Sequence, residues 1–384
     1  MPLVIGVPKE VAPLERRVAL VPETVARLVQ GGAQVVVEHG AGEAAFFPDG
    51  AYEAAGAQLV ERTTAYDVDV QARVQPPAET ELPLLRPGSV VVGFLRPLDA
   101  PGETARLAAA GVTALSMEMV PRTTRAQKMD ALSAMGTVAG YRAVILAAEA
   151  SPKLFPLLTT AAGTIRPAKV LVLGAGVVGL QALATARRLG AVTSAYDVRA
   201  AAREQVESVG ARFVELALET GDAETSGGYA RALDEERQRR QVELLTPHVA
   251  AADVVVTTAL VPGMRAPLLV TEHAVREMAP GSVVVDVAAP NGGNCALTRP
   301  GETVLVGQGV RVLGPLNLAA EMPMHASQMY SRTVAAMIGE FVKEGTFTPD
   351  FDDEIFRGAC VAHGGEIVNE RVRALLEPRA PATA

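Results

Sequence analysis

VLVLGAGVVGLQALATARRLGAVTSAYDVR, residues 170–199, says more about the fold than any other stretch of the chain. An apolar run of strand length ends at Gly174. Gly174-x-Gly176-x-x-Gly179 then opens a helical pattern with few breakers, and a second apolar run, 192–196, ends at Asp197. The first glycine permits the tight turn, the second lets backbone come close to a pyrophosphate, and the third lets helix and strand pack closely. Unpaired N–H groups and the dipole at the helix N-terminus favour an anion there. Asp197, 18 residues past Gly179, stands where an acid accepts hydrogen bonds from an adenosine ribose. A glycine triplet alone fits many turns; with strand, helix and acid in order it predicts dinucleotide binding. The expected contacts are Gly174, Ala175, Gly176, Val177, Val178 and Gly179 with the phosphates, and Asp197, Val198 and Arg199 with the adenosine. Asp197 repels a 2′-phosphate, which favours NAD(H) over NADP(H). Arg199 could instead hold such a phosphate, or could be an exposed ion pair with an acid.

Strand-length apolar runs continue on both sides of this segment. Downstream they fall at 212–214, 254–257, 283–286 and 310–313; upstream at 3–7, 34–38, 68–74, 90–94 and 113–116. Helical patterns at 22–30, which begins with Pro22, and at 103–110 alternate with the upstream runs, as does a long Ala-rich helix at 137–150. Strands alternating with helices predict parallel sheets covered on both faces. The expectation is an α/β chain of two doubly wound domains. The first comprises 1–136 plus a returning tail, 318–384, and is therefore discontinuous; the nucleotide-binding domain is 137–317. A polar insertion, 219–241, carries Ser-Gly-Gly-Tyr at 226–229 and then a charged run, 231–241, that reads as a solvated helix face. An amphipathic helix is expected at 325–343.

Composition narrows the function classes. The 384 residues carry a net charge of −8, which gives no electrostatic footprint for nucleic acid. Cys295 and Cys360 lie far apart and fit neither zinc spacing nor a disulfide framework, as expected in a reducing compartment. The five histidines (39, 248, 273, 325 and 363) are scattered and predict no metal site. No basic segment followed by an apolar stretch opens the chain, so no signal peptide is expected. The apolar runs read as too short for the roughly 18 residues of a membrane helix, so membrane association would pass through a partner.

Several segments, in order, resemble the alanine dehydrogenase and nicotinamide nucleotide transhydrogenase superfamily: 5–25 (IGVPKEVAPLERRVALVPETV), 37–58, 125–144 (RAQKMDALSAMGTVAGYRAV), the glycine loop, 257–267 (TTALVPGMRAP) and 281–294 (GSVVVDVAAPNGGN). Within it they are similar to the NAD(H)-binding alpha-1 branch of the proton-translocating transhydrogenases. That resemblance implies two Rossmann-like domains with a nucleotide cleft between them, working as a homodimer. It also implies which groups surround the nicotinamide: Arg122, Gln127 and Asp130 as the catalytic set, with Lys128, Met129 and Ser133 beside them. The other reading of Asp130 and Ser133 is that they cap the following helix. Gly228 and Tyr229 resemble the tip of a mobile loop that closes over nucleotide. Thr258, Ala259 and Leu260, just past a strand, are expected against the adenosine ribose or pyrophosphate, and the 291–294 loop beside the nicotinamide.

The resemblance also separates the two activities of the superfamily. Its dehydrogenases use an arginine, a lysine, a histidine and an aspartate on a 2-oxo acid; the matching positions here are Arg17, Gln75, Arg96 and Pro290. Gln75 has no charge, Arg96 cannot exchange a proton near pH 7, and Pro290 has no functional group. Hydride exchange between two nicotinamides needs no such group, only two rings held about 3–3.5 Å apart. The resemblance therefore implies a Si-specific transhydrogenase subunit that binds NAD(H) and serves NADP(H) on a beta subunit. A membrane-spanning subunit would hold it at the inner, cytoplasmic face of the plasma membrane. Two other readings stay open: an NAD-dependent amino-acid dehydrogenase with substituted catalytic groups, and a non-catalytic NAD(H) sensor.

Overall fold

A computed structural model describes residues 2–217, 234–261 and 263–376. Contacts divide the chain into two compact units: unit 1 is 1–135 with 320–384, and unit 2 is 136–319.

Unit 1 begins with β1 (Val4–Val7), α1 (Pro22–Gln30), β2 (Gln34–Glu38), α2 (Asp49–Ala54), β3 (Gln58–Val60), α3 (Arg62–Tyr66), β4 (Val70–Ala72), β5 (Val90–Gly93), α4 (Pro101–Ala109) and β6 (Thr113–Ser116). β3-β2-β1-β4-β5-β6 lie side by side and parallel, with the strand order turning between β1 and β4. Val36, Val91, Leu107, Ala114 and Val361 are among the buried side chains that make one core of this unit.

α5 (Ala131–Ala150) starts six residues earlier than the sequence pattern predicts. Asp130 supplies the reason: its carboxylate accepts from the Ser133 backbone N–H at 2.8 Å and caps a turn in which the apolar periodicity is weak. At 20 residues, α5 is long and apolar enough to cross a membrane, which corrects the expectation that no stretch is. Ala143, Val144 and Ala147 on it are core residues of unit 2.

Unit 2 continues with a hairpin, β7 (Leu158–Thr160) and β8 (Gly163–Ile165), then β9 (Lys169–Leu173), α6 (Val177–Arg188), β10 (Val192–Tyr196), α7 (Ala202–Ser208), β11 (Arg212–Phe213), α8 (Glu235–Ala250), β12 (Val254–Thr257), α9 (Glu272–Arg276), β13 (Val283–Asp286), β14 (Thr303–Val306) and β15 (Val310–Leu313). The sheet order is β11-β10-β9-β12-β13-β15-β14, parallel except for the edge strand β14. Two apolar clusters, one holding Ala182, Leu183 and Val206 and the other Leu245, Val249 and Val275, cover this doubly wound sheet. α8 keeps the described part of the charged run, 234–240, largely at the surface, as expected of a solvated helix face. It begins after the Asp234 cap and buries Gln241, Leu245 and Val249 at helical spacing, with Gln241 Nε2 donating to the Tyr196 hydroxyl at 3.0 Å.

The chain then returns to unit 1 through α10 (Pro323–Glu340), a small hairpin β16 (Val342–Lys343) and β17 (Thr346–Phe347), α11 (Glu354–Ala359), β18 (Cys360–His363), β19 (Glu366–Ile367) and α12 (Glu370–Leu376). β18 joins the first sheet antiparallel to β6, which makes unit 1 discontinuous. α10 starts two residues before the expected helix, with Pro323 in its first turn, and stops three short because 342–343 pair as a strand.

Candidate functional site

In unit 2 the strand order reverses between β9 and β12, and the carboxyl ends of strands at such a switch point form a crevice for ligands. The glycine loop leaves β9 there. Gly174 turns at φ 102°, a conformation that side chains disfavour, and its N–H donates to the Tyr196 carbonyl at 2.8 Å. A Cβ on Gly179 would overlap the Gly174 carbonyl oxygen, so the third glycine is fixed by contact within the loop. A Cβ on Gly176 would meet no protein atom within 4 Å; that glycine answers to no packing need of the chain itself, in keeping with close approach of a phosphate. α6 starts directly behind it at Val177, and Val178 is followed by Gly179 on its buried side.

Asp197 ends β10 almost fully buried. Its Oδ2 accepts the Ala175 N–H at 2.7 Å, which ties the acid to the glycine loop. Arg199 wraps around the same carboxylate: its N–H and Nε donate to Oδ1 at 2.9 Å each and its NH2 to Oδ2 at 3.0 Å. The arginine that complicates the choice between the two nucleotides is thus paired with the acid that favours NAD(H).

Thr258 leaves β12 beside the loop, its Oγ1 donating to the Gly174 carbonyl at 2.8 Å. Ala259 is half-buried and Leu260 exposed; Pro262 lies outside the described residues. Gly228 and Tyr229, with the rest of 218–233, lie outside them as well. Asp286, at the end of β13, carries no signal in the sequence beyond the end of a strand. It is fully buried and accepts five hydrogen bonds, from Thr257 Oγ1, the N–H groups of Ala288, Asn294 and Cys295, and Thr298 Oγ1.

In unit 1, Arg122 and Gln127 are exposed, Gln127 on a 3₁₀ turn at Arg125–Met129. Met129 is buried and anchors that turn. Surface ion pairs fix its outer side: Arg125 meets Glu340 at 3.3 Å and Asp353 at 2.5 Å, and Lys128 Nζ meets Glu340 at 2.7 Å. Asp130 Oδ2 accepts from Ser133 Oγ at 2.5 Å, so both residues do form the cap.

The strand order of unit 1 also reverses, between β1 and β4, and charged side chains occupy the carboxyl ends there. Glu10 accepts the N–H groups of Val74 at 2.6 Å and Gln75 at 3.2 Å, and burial pushes its pKa up to about 7. Arg17 forms a two-pronged pair with Glu15 at 2.8 and 2.6 Å, and Gln75 Nε2 donates to the same carboxylate at 2.7 Å. Burial raises the Glu15 pKa, but the hydrogen bonds and charge of Arg17 more than offset this and hold it below the usual carboxylate range. Beside them Arg73, fully buried, donates to Glu81 and to the Tyr66 hydroxyl at 2.8 Å each. Arg17 and Gln75 thus meet on the Glu15 carboxylate. Arg96 is not with them: at φ 50° its backbone N–H donates to Glu118 and its guanidinium turns to Glu103 on α4 at 2.6 Å. Pro290 sits in the 289–291 turn of unit 2. Among the described residues, no three His, Cys, Asp or Glu side chains gather as a metal site.

Comparison with known proteins matches residues 6–139 to the family model "Alanine dehydrogenase/PNT, N-terminal domain" and 143–370 to "Alanine dehydrogenase/PNT, C-terminal domain". The chain is 42% identical over 377 residues to the protein of Rhodospirillum rubrum that forms the first portion of NAD(P) transhydrogenase subunit alpha, covering 95% of this chain and 97% of that one. It is 33% identical to alanine dehydrogenase of Bacillus subtilis, over 76% of this chain and 72% of that protein. The crystal structure of a transhydrogenase from Sinorhizobium meliloti superposes with a TM-score of 0.85 at 42% identity, covering 95% of this chain and all of the other.

Proposed function

The chain belongs to the alanine dehydrogenase/PNT family, and from that premise we propose that it is the NAD(H)-binding subunit of a proton-translocating transhydrogenase. NADH held at the unit 2 switch point supplies the hydride, and NADP⁺ on a partner beta subunit receives it. The subunit works as a homodimer at the cytoplasmic face of the membrane, with a membrane-spanning subunit that couples transfer to proton movement.

One observation carries the choice of transhydrogenase over dehydrogenase. At the positions that match the dehydrogenases' lysine and histidine, Gln75 is engaged with Glu15, and Arg96 is turned to Glu103. Glu10, the neighbouring group that titrates near neutrality, has its oxygens on the backbone of Val74 and Gln75. No side chain of this set is arranged to pass a proton to a 2-oxo acid, whereas transfer between nicotinamides needs orientation only.

The residues of this chain then have binding and orienting tasks. The N–H groups opening α6 hold the pyrophosphate, and Asp197 accepts the hydroxyls of the adenosine ribose in place of the Arg199 guanidinium. Arg122 and Gln127 address the reactive end of the nucleotide, and Asp130 and Ser133 its ribose or carboxamide.

The deciding assay mixes this chain with an NADP(H)-binding partner domain and follows hydride exchange from NADH. Exchange in the mixture, with no NADH oxidation by pyruvate and ammonium, is the expected result. Tight NADH binding without exchange would refute the proposal. Oxidation by pyruvate and ammonium would replace it with the dehydrogenase.

A further inference from the structure

We propose that Asp286 and Asn294 are positioning residues for nucleotide binding: one run of hydrogen bonds from them fixes the backbone of residues 258–259 against the Gly174 turn. This rests on the reading of that turn as the nucleotide site.

The run starts at the Asp286 carboxylate. Oδ1 accepts from Thr257 Oγ1 at 2.8 Å and the Ala288 N–H at 3.1 Å; Oδ2 accepts from the N–H groups of Asn294 at 2.8 Å and Cys295 at 3.0 Å, and from Thr298 Oγ1 at 2.6 Å. One carboxylate therefore joins the end of β12 to the loop that follows β13. The loop has little freedom elsewhere: a Cβ on Gly293, at φ 76°, would come within 2.8 Å of Asp286 Oδ2.

Asn294, also fully buried, carries the run forward. Its Oδ1 accepts the Ala259 N–H at 3.0 Å, while its Nδ2 donates to the Ala259 carbonyl at 2.9 Å and the Pro267 carbonyl at 2.7 Å. A side-chain amide thus satisfies both backbone polar groups of Ala259, where sheet pairing has ended. An isolated buried peptide unit needs such a partner, and the partner dictates where the unit lies. The peptide is placed against the nucleotide turn. A Cβ on Gly174 would lie 3.0 Å from the Ala259 nitrogen and 2.8 Å from Thr258 Oγ1, which donates to the Gly174 carbonyl. A shift of Ala259 moves the wall of the switch-point crevice with it.

The consequence is separable from general stability. The run reaches the carboxyl ends of β9 and β12, where the pyrophosphate and adenosine ribose are expected, and lies within unit 2, whereas Arg122 and Gln127 belong to unit 1. Asn294→Ala should weaken ADP-ribose and NADH by the same factor, about tenfold or more, because a misplaced binding group costs affinity steeply. The exchange rate with the partner domain at saturating NADH should fall by a smaller factor than the affinity does. Asn294→Asp keeps an acceptor for the Ala259 N–H but sets a carboxylate oxygen against the Ala259 and Pro267 carbonyls, so it should weaken binding at least as much as Asn294→Ala. The control is Val275→Ala in α9, a fully buried apolar side chain that takes no part in the run of hydrogen bonds; it lowers the melting temperature and leaves ADP-ribose affinity unchanged. Unchanged affinity in Asn294→Ala overturns the proposal. So does a loss in Val275→Ala equal to that of an Asn294 variant with the same melting temperature, which would mean that Asn294 only stabilises. Wild-type protein that binds no ADP-ribose overturns the nucleotide-site reading itself.

Discussion

The two units share a topological device and fill it in opposite ways. Each has a parallel sheet whose order reverses, between β1 and β4 in unit 1 and between β9 and β12 in unit 2. At the second switch point the lining is backbone: three glycines, the start of α6, and carboxylates that hold N–H groups in place. At the first the lining is charged side chains that satisfy one another, Arg17 on Glu15 and Arg73 on Glu81. A switch point says where a crevice forms. Whether a phosphate can enter depends on which atoms remain to meet it, and here glycine and carboxyl-terminated strands give two different outcomes from one topology.

The widest separation of the two regions comes from Arg73→Met. Removing the guanidinium leaves Glu81 buried with only the more distant Arg62, at 3.5 Å, and the Tyr66 hydroxyl without one donor, a defect worth about 3 kcal/mol. Chemical denaturation should show unit 1 losing that stability while NADH affinity stays near wild type. An equal loss of affinity would mean that the two switch points are not independent. Gly179→Ala tests the opposite side. Its methyl group would overlap the Gly174 carbonyl, and overpacking of this kind costs roughly 1–3 kcal/mol. Here nucleotide binding, read by NADH fluorescence, should be lost before unit 1 is affected.

The same contrast explains what can be read from the sequence. Residues 170–199 are legible because a turn that must adopt φ 102° and an approach that admits no Cβ leave glycines at fixed spacing. The Asp130 cap is legible as an alternative, and the geometry fits it, yet the pattern puts the helix start at 137 because apolar periodicity is faint in the first turn. The β18 pairing is not legible: Cys-Val-Ala-His has no alternation to mark a strand, and its partner lies more than two hundred residues away. Glu10, Glu15, Arg73 and Asp286 stay hidden for a different reason. A charged residue at the end of a strand looks like the start of a solvated loop, and only the fold shows that it is buried with its donors around it.

Protons offer a third way to set the regions apart. Burial raises the Glu10 pKa from 4.5 to about 7. A raised acid contributes stability that is full below the unfolded value and is lost as pH climbs through the folded one. Unit 1 should therefore lose stability between about pH 4.5 and 7 through this residue. Glu10→Gln abolishes that slope and adds a constant offset from the N–H acceptor it loses. Denaturation midpoints measured from pH 5 to 8 should show the variant gaining on wild type until about pH 7 and running parallel above it. Parallel lines over the whole range would show that Glu10 does not titrate as a buried acid.

The smallest effect concerns how each unit holds its site loop. The glycine loop is tied by bonds with little access to water. The turn carrying Gln127 is tied on its outer side by Arg125 and Lys128 to Glu340 and Asp353, with the two cations about half exposed. Exposed pairs are screened by salt and individually weak, so Glu340→Gln should loosen the turn without unfolding it. Hydrogen exchange of the Ala126 and Asp130 amides, which close this turn onto Thr123 and Gln127, should quicken by no more than about fivefold, as loss of weak surface pairs allows. Molar salt should do the same to wild type. The Gly174 amide, donating to Tyr196, should respond to neither. If salt or the substitution quickened Gly174 as much as Ala126, the two loops would be held by the same kind of force, and the division between a backbone-built site and a surface-tethered one would fall.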